Sequence, residues 1–425
     1  GRSTVQRHTR ARGRVGIPSC CETFARVTAL SSCDVVRFQG TFISMWAPKR
    51  IDITTADLAA GLVGCFTPAD HAREALIFEA ELSSAKDLLV CTSVRSGFDA
   101  LLTALRLPAG TEILFTAMTV ADMPRIAKYH DLVPVPVDVD IDSMAPRVEA
   151  LEEVVTSACR VLVLTHLFGG RIDFSTSISW ARRRGMVVIE DCAEAYWDPA
   201  YLGDPRADVS LFSFGPIKHR TALGGAVVRI TRADLLARVR RVIAEHPAQK
   251  SSQYAARLLK YGVLHKISAR VSYAALLRMT RWFGVDHDRL VNDLTRGFGQ
   301  NDFVRTIRQR PCLALIRMLR RRVQGTARPM EQREQRGRML AAELGPSVIC
   351  PGVASGPHSF WIFPVMSADP VSVLRALREA GFDATVGRSF ALVEGHSGNG
   401  CRNAARVIEQ AIYLPFYPQM PDSEL

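Results

Sequence analysis

Ser213-Phe-Gly-Pro-Ile-Lys218 places one lysine at the exit of an apolar segment, five residues after a serine and just ahead of Ala222-Leu-Gly-Gly-Ala-Val-Val-Arg-Ile230. The flanking segments read as buried sheet, where lysine is rare unless it serves a chemical purpose. A buried lysine loses its proton readily, and the neutral amine is the nucleophile that condenses with a carbonyl. By itself this spacing also suits a lysine on a surface turn. The choice between the two rests on what lies upstream.

Three upstream motifs fall where a strand runs into a loop. Ser96-Gly97-Phe98-Asp99-Ala100-Leu101 opens a helix, and the backbone N–H groups of such an opening cradle phosphate. Ile189-Glu-Asp-Cys-Ala-Glu-Ala195 sets Asp191 at a strand end. An aspartate fixed there can hold a protonated pyridine nitrogen, although a helix-capping aspartate has the same local sequence. Thr165-His-Leu-Phe-Gly-Gly170 ends another strand with His166, which reads as a satisfied structural histidine. Phosphate loop, acid, serine and lysine in this order describe one pocket.

The elements that must carry these residues alternate along the chain. Strands are expected over 88–92, 112–116, 133–137, 160–165, 186–190 and 208–213. Helices are expected over 97–105 (capped by Ser96), 121–130, 146–157 and 174–185. Near-continuous Val/Leu/Ile strands between helices predict a parallel sheet covered on both faces, with right-handed crossovers. Residues 226–230 are expected to run against the others. The fold class is thus α/β, with ligands at the carboxyl ends of the strands. The expected organisation is a basic leader over 1–50, a large domain over 51–245, a mainly helical basic segment over 246–330, and a smaller α/β domain over 331–425. That last unit shows a strand at 360–365, a helix at 370–379 and a turn at Gly381.

Here the chain resembles a known family, the DegT/StrS group of pyridoxal-phosphate sugar aminotransferases within the type I aspartate-aminotransferase fold. The resemblance runs from about residue 53 to the end. It is carried by Gly110-Thr-Glu-Ile113, Pro136-Val-Asp-Val-Asp140, Thr165-His-Leu-Phe-Gly169, Glu190-Asp-Cys-Ala-Glu-Ala195, Ser213-Phe-Gly-Pro-Ile-Lys218 and Tyr413-Leu-Pro-Phe-Tyr-Pro418. It implies pyridoxal 5′-phosphate as cofactor and Lys218 as the residue of the internal aldimine and of proton transfer. Asp191 would pair with the pyridinium nitrogen, while Ser213 and the backbone of Gly97 and Phe98 would hold the phosphate. Asp138 and Asp140 are a strand-end feature in this family, so no metal is claimed.

Three departures stand out. Val120 occupies the place where the family stacks an aromatic on the cofactor ring, which forgoes aromatic stacking. Glu194 stands where the family has glutamine near the cofactor's 3′-oxygen, so it is expected to be protonated, turned away, or tuning a different reaction. Arg308-Gln-Arg-Pro311 lies near the family's Gly-x-Asn-x-Arg segment, which reaches the neighbouring subunit's phosphate. A basic side chain there is the candidate for that role.

The expected activity is transfer of an amino group from glutamate or glutamine to a keto-sugar, nucleotide-linked, by a homodimer. Two alternatives stay open: a fold-retaining regulatory or binding protein, and a sugar dehydratase. The dehydratase branch replaces the lysine by histidine, and His219 beside Lys218 does not substitute for it.

Composition agrees with an ordinary globular protein of 425 residues, 48% hydrophobic and 23% charged. The formal net charge of +12 raises nucleic acid or an anionic membrane surface as a partner. The arginines cluster in the leader (Arg2, Arg7, Arg10, Arg12, Arg14) and in helices such as the stretch from Arg317 to Arg322. No nucleic-acid motif accompanies them, so the partners expected are small-molecule substrates and a second copy, without membrane or nucleic acid. The leader is set aside as foreign to the native chain or as a targeting segment, with Met45 a candidate start. The end at Leu425, in what reads as the start of a helix, points to truncation. Ten cysteines without CxxC pairs suit a reducing cytoplasm.

Overall fold

The computed structural model describes residues 44–68, 70–282, 303–324, 330–387, 390–395 and 400–424. Most of the arginine-rich leader therefore lies outside the described residues, but its final part does not. Met45, Trp46 and Ala47 are buried, and Trp46 N–H donates to Gly381 O at 2.8 Å. The last residues of the stretch expected as leader thus pack into the fold. Tertiary packing, which composition cannot reveal, draws this stretch in.

The central sheet has seven strands: β1 (Leu88–Cys91), β2 (Glu112–Thr116), β4 (Val133–Val137), β5 (Cys159–Thr165), β6 (Val187–Asp191), β7 (Val209–Ser213) and β8 (Ala226–Ile230). A two-residue strand, β3 (Met118–Thr119), lies outside this sheet. The spatial order is β1-β8-β7-β6-β5-β2-β4. Pairing is parallel from β7 through β4, and β8 runs antiparallel between β1 and β7, as its sequence position suggested. Inner strands are apolar and buried on both faces, which helices on either side require. Val133-Pro-Val-Pro-Val137 tolerates two prolines because β4 is an edge strand, where missing N–H donors cost no ladder bond.

The smaller unit carries the sheet β10-β12-β9, formed by β9 (Phe363–Met366), β10 (Thr385–Val386) and β12 (Ala411–Leu414). Between the last two in sequence, β11 (Ala391–Leu392) pairs with β3. The strand expected at 360–365 starts three residues late. Phe360 has φ +43, a left-handed backbone that breaks extension. Asp138 accepts from the N–H groups of Asn403 and Ala404 and so caps the helix Arg402–Gln410, while Asp140 pairs with Arg147. Both acids are occupied in holding turns and helix ends.

The segment between the units is helical, with Ser251–Ile267, Arg270–Trp282, Phe303–Ile307 and Leu313–Gln324. Among the described residues no helix is long and apolar enough to cross a membrane.

Candidate active site

The carboxyl ends of β1, β5, β6 and β7 lie along one edge of the sheet, and the antiparallel β8 begins there. Ala226 faces both Cys91 and Ser213, while Asp191 faces Thr165. Chain reversal between β7 and β8 forms the lysine loop. It is stitched down by Gly225 N–H to Thr92 O at 2.8 Å, Phe214 N–H to Gly225 O at 3.0 Å and Thr221 Oγ1 to Gly215 O at 2.7 Å. Leu223, Gly224 and Gly225 all have positive φ, and the two glycines take the more extreme values that only they adopt without strain.

Lys218 is mostly buried and its ammonium has two partners. Nζ donates to Glu194 Oε1 at 3.2 Å and sits 3.8 Å from the centroid of the Trp361 ring. The indole of Trp361 in turn donates to Ile217 O at 2.6 Å, fixing the loop beside the lysine. Glu194 also accepts from Phe168 N–H at 2.9 Å. Phe168 (φ +60) and Gly169 (φ +95) turn sharply there. The carboxylate therefore clamps the 166–170 turn to the lysine loop. The side chain is not turned away from the site, because a cation and a backbone donor both engage it. Glu194→Gln keeps the Phe168 bond and removes the countercharge of Lys218. The cofactor-free protein should lose about 1–3 kcal/mol of stability in urea denaturation, and an unchanged midpoint would show that the pair does not brace the loop.

Asp191 is buried at the end of β6 and accepts from Ala193 N–H at 3.0 Å. Burial pushes its pKa up to about 6, opposed by the Ala193 bond and the charge of Lys218. Behind it, His166 accepts Ile172 N–H on Nδ1 (3.0 Å), so its Nε2 proton points to Glu190 Oε1 at 2.8 Å. Glu190 receives further bonds from Asp204 N–H and Ser210. His166 is a structural histidine. Its cluster with Glu190 and Cys192 brings three possible metal donors close together, but hydrogen bonds already occupy the imidazole and the carboxylate.

The phosphate loop requires correction. The helix after β1 is Val94–Leu105, capped by Ser93, whose Oγ accepts Ser96 N–H. Gly97 N–H is spent on Ser93 O, and Phe98 packs edge-on against Phe115 in the core. Gly97 is explained by packing, since a Cβ there would lie 2.6 Å from Val228 Cγ2. The first-turn amides are those of Val94 and Arg95. Ser96 Oγ is buried without a hydrogen-bond partner. Sequence reasoning placed the helix start three residues late. The Thr92-Ser93 pair immediately after the strand was the available signal.

An orphaned hydroxyl beside a helix N-terminus fits an anionic group, and a buried acid and a lysine amine, Asp191 and Lys218, are of the types that suit a pyridine nitrogen and an aldehyde. Ser213 Oγ accepts Gly215 N–H at 3.4 Å and lies against the same loop as Lys218. Ser96→Ala should weaken pyridoxal phosphate binding about tenfold and leave pyridoxal binding unchanged, measured by calorimetry. It should not destabilise the cofactor-free protein, because it removes an unsatisfied polar atom.

Val120 is partly buried, precedes the helix Asp122–Tyr129 and packs on the core cluster that includes Phe98, Val163 and Ile189. Arg308, in the segment expected to reach a neighbour's phosphate, makes a bidentate pair to Asp99 within its own chain at 2.8 and 2.9 Å. Lys49 was missed because it sits in the segment set aside. Its Nζ lies 4.1 Å from the Trp361 centroid, and burial lowers its pKa to about 8. Tyr413 brings the C-terminal motif to the site, its ring 6.0 Å from Phe168.

Comparison with known proteins bears on the family and the fold. Residues 69–311 match the model of the DegT/DnrJ/EryC1/StrS aminotransferase family. A GDP-perosamine synthase of Escherichia coli O157:H7 is 31% identical over 158 residues, 36% of this chain. The matched region spans only 43% of that relative's length. Among solved structures, an aminotransferase from Psychrobacter cryohalolentis superposes with a TM-score of 0.64 at 17% identity, covering 88% of this chain and 94% of its own. The ntda protein of Bacillus subtilis, solved with bound cofactor PMP, gives 0.59 at 16% identity, covering 96% of this chain and 89% of its own. These likenesses establish the shared fold. A family match across more than half of the chain goes further: the protein belongs to the DegT/DnrJ/EryC1/StrS aminotransferase family.

Proposed function

We propose that this chain is a pyridoxal-phosphate-dependent aminotransferase that moves the amino group of glutamate or glutamine to a nucleotide-linked keto-sugar. The observation that carries the reading is Lys218, paired with Glu194 beside the buried acid Asp191, in a member of this family. Ser96, Ser213 and the amides of Val94 and Arg95 would hold the phosphate, Asp191 the ring nitrogen, and Lys218 the aldehyde carbon. When bound, the cofactor supplies a carbonyl for amine exchange and a ring that accepts an electron pair.

The chain's own groups do the rest. Lys218 must give up a proton to act as nucleophile or base, and Glu194 at 3.2 Å holds that proton in place until it is released. Asp191, where charged, stabilises positive charge at the ring nitrogen, and its burial strengthens that interaction. Trp361 and Tyr413 wall the site with aromatic surface and exclude water.

Support for the sugar comes from the GDP-perosamine synthase relative, and support for a homodimer comes from the family resemblance. The test is a half-reaction. Protein saturated with pyridoxal phosphate and mixed with glutamate should lose its visible band and release 2-oxoglutarate, and a nucleotide-linked keto-sugar should restore the band. A protein that stays colourless with the cofactor would instead support the reading as a fold-retaining regulator.

A further inference from the structure

Two consecutive helices, Ser251–Ile267 and Arg270–Trp282, each use one face to dock on the body of the protein. The first buries Tyr254, Leu258 and Tyr261. Its Tyr254 Oη donates to Ala222 O at 2.7 Å and Arg257 reaches Leu223 O, so it is bolted to the loop that carries Lys218. The second buries Tyr273, Ala274 and Leu277 against Met45 and Ala47. The polar requirement of an ordinary surface helix should then fall on the opposite faces.

Those faces are not ordinary. On the first helix Leu259 and Val263 are each 59% exposed; on the second, Val271 is 62%, Met279 51% and Trp282 87% exposed. Their spacing of four residues on the first helix, and of eight and three on the second, sets each group along one stripe. Lys260, Lys266 and Arg278 are exposed on the same helices. Between Glu245 and Asp286 the chain contains no aspartate or glutamate.

Aliphatic side chains, a tryptophan and cations on two short helices, with no acids, match what a helix lying in a bilayer interface requires. Charge complementarity selects anionic lipid. A second copy is disfavoured, because a two-fold contact through this face would bring like cations together with no acid from either segment to pair them. Nucleic acid is disfavoured because the stripe is aliphatic rather than a platform of stacked aromatics. At 17 and 13 residues, neither helix spans a membrane.

We propose that the paired helices Ser251–Ile267 and Arg270–Trp282 form a patch that seats the protein on the surface of an anionic lipid bilayer. The expectation of no membrane partner, drawn from the lack of a long apolar run, does not extend to this peripheral mode. Through the bonds to Ala222 and Leu223, the patch places the lysine loop near the lipid surface. The inference stands independently of the reaction proposed above.

The test uses the full chain with vesicles of phosphatidylglycerol and phosphatidylcholine, and with phosphatidylcholine alone. The protein should sediment with the anionic vesicles and not with the neutral ones, with binding falling as salt rises. Leu259→Ser with Val263→Ser should lower partitioning at least about tenfold. Lys260→Gln and Lys266→Gln should each lower it roughly fivefold. Val371→Ser, at an exposed valine on another helix, should change nothing. Trp282 is the exposed member among five tryptophans, the other four being buried. Brominated lipid should therefore quench its emission, and Trp282→Phe should abolish that quenching. Absence of sedimentation with anionic vesicles overturns the proposal, as does binding indifferent to the Leu259 and Val263 changes. If those same changes instead convert a dimer to a monomer in light scattering, the face is a contact between copies and the proposal also fails. Equal retention on RNA, insensitive to the two serines, overturns it as well.

Discussion

Lys218→Ala should eliminate covalent attachment of the cofactor and lower turnover by at least about a thousandfold, the range expected when an essential base or nucleophile is removed. The fold should survive. The lysine loop keeps its backbone bonds to Thr92 and its Thr221 brace, and Trp361 still donates to Ile217 O. The loss is electrostatic: Glu194 retains Phe168 N–H but loses its cation. That should cost roughly 1–3 kcal/mol, as expected for a hydrogen bond to a buried charge. Urea denaturation measures this cost, and the half-reaction with glutamate measures the catalytic effect. A variant that unfolds outright would show that the pair is chiefly structural, and one that transaminates at the parent rate would remove Lys218 from the chemistry.

Asp191→Asn should have the second largest effect, a fall in activity on the order of 10²–10³, as for loss of one preorganised charge in a buried site. It should also change the stability of the cofactor-free protein in a pH-dependent way. Burial holds the Asp191 carboxyl at about pH 6, against about 3.9 in an unfolded chain. The folded state therefore binds this proton more tightly than the unfolded one. Its contribution to stability is fully present below about pH 4 and is lost as pH rises through 6, with a total of roughly 3 kcal/mol. Asparagine cannot ionise, so the parent should lose stability relative to the variant across that window and the difference should level off by pH 7. Denaturation of both proteins at pH 4.5, 5.5 and 7 checks this. Parallel curves would mean that Asp191 is not penalised by burial.

Legibility in the sequence followed the range of the interaction involved. Strand runs such as Glu112–Thr116 and Ala226–Ile230 were readable to the residue because a sheet buried on both faces demands continuous apolar stretches. The positions of Asp191 at a strand end and of Lys218 between two strands were readable because the apolar runs beside them mark those strands out. What depended on packing was not. Gly97 looked like a phosphate glycine, yet its lack of a side chain answers to Val228 on β8. Helix Val94–Leu105 began earlier than its apolar periodicity suggested, since Val94 and Arg95 carry no pattern of their own. Lys49 and Trp361 reach the site only through folding, from segments that read as leader and strand. Glu194 reads in the sequence as a departure from the family pattern, and its partner across 24 residues, Lys218, lies beyond what local sequence reveals.

The most direct test is chemical. Protein saturated with pyridoxal phosphate is reduced with borohydride, digested and mapped by mass spectrometry. The account predicts a pyridoxyl group on Lys218 alone, with the visible band lost in step. Lys49 provides an internal rival, since its amine approaches the same Trp361 ring and burial lowers its pKa to about 8. Label on Lys49 with Lys218 unmodified, or no label at all, would contradict the account.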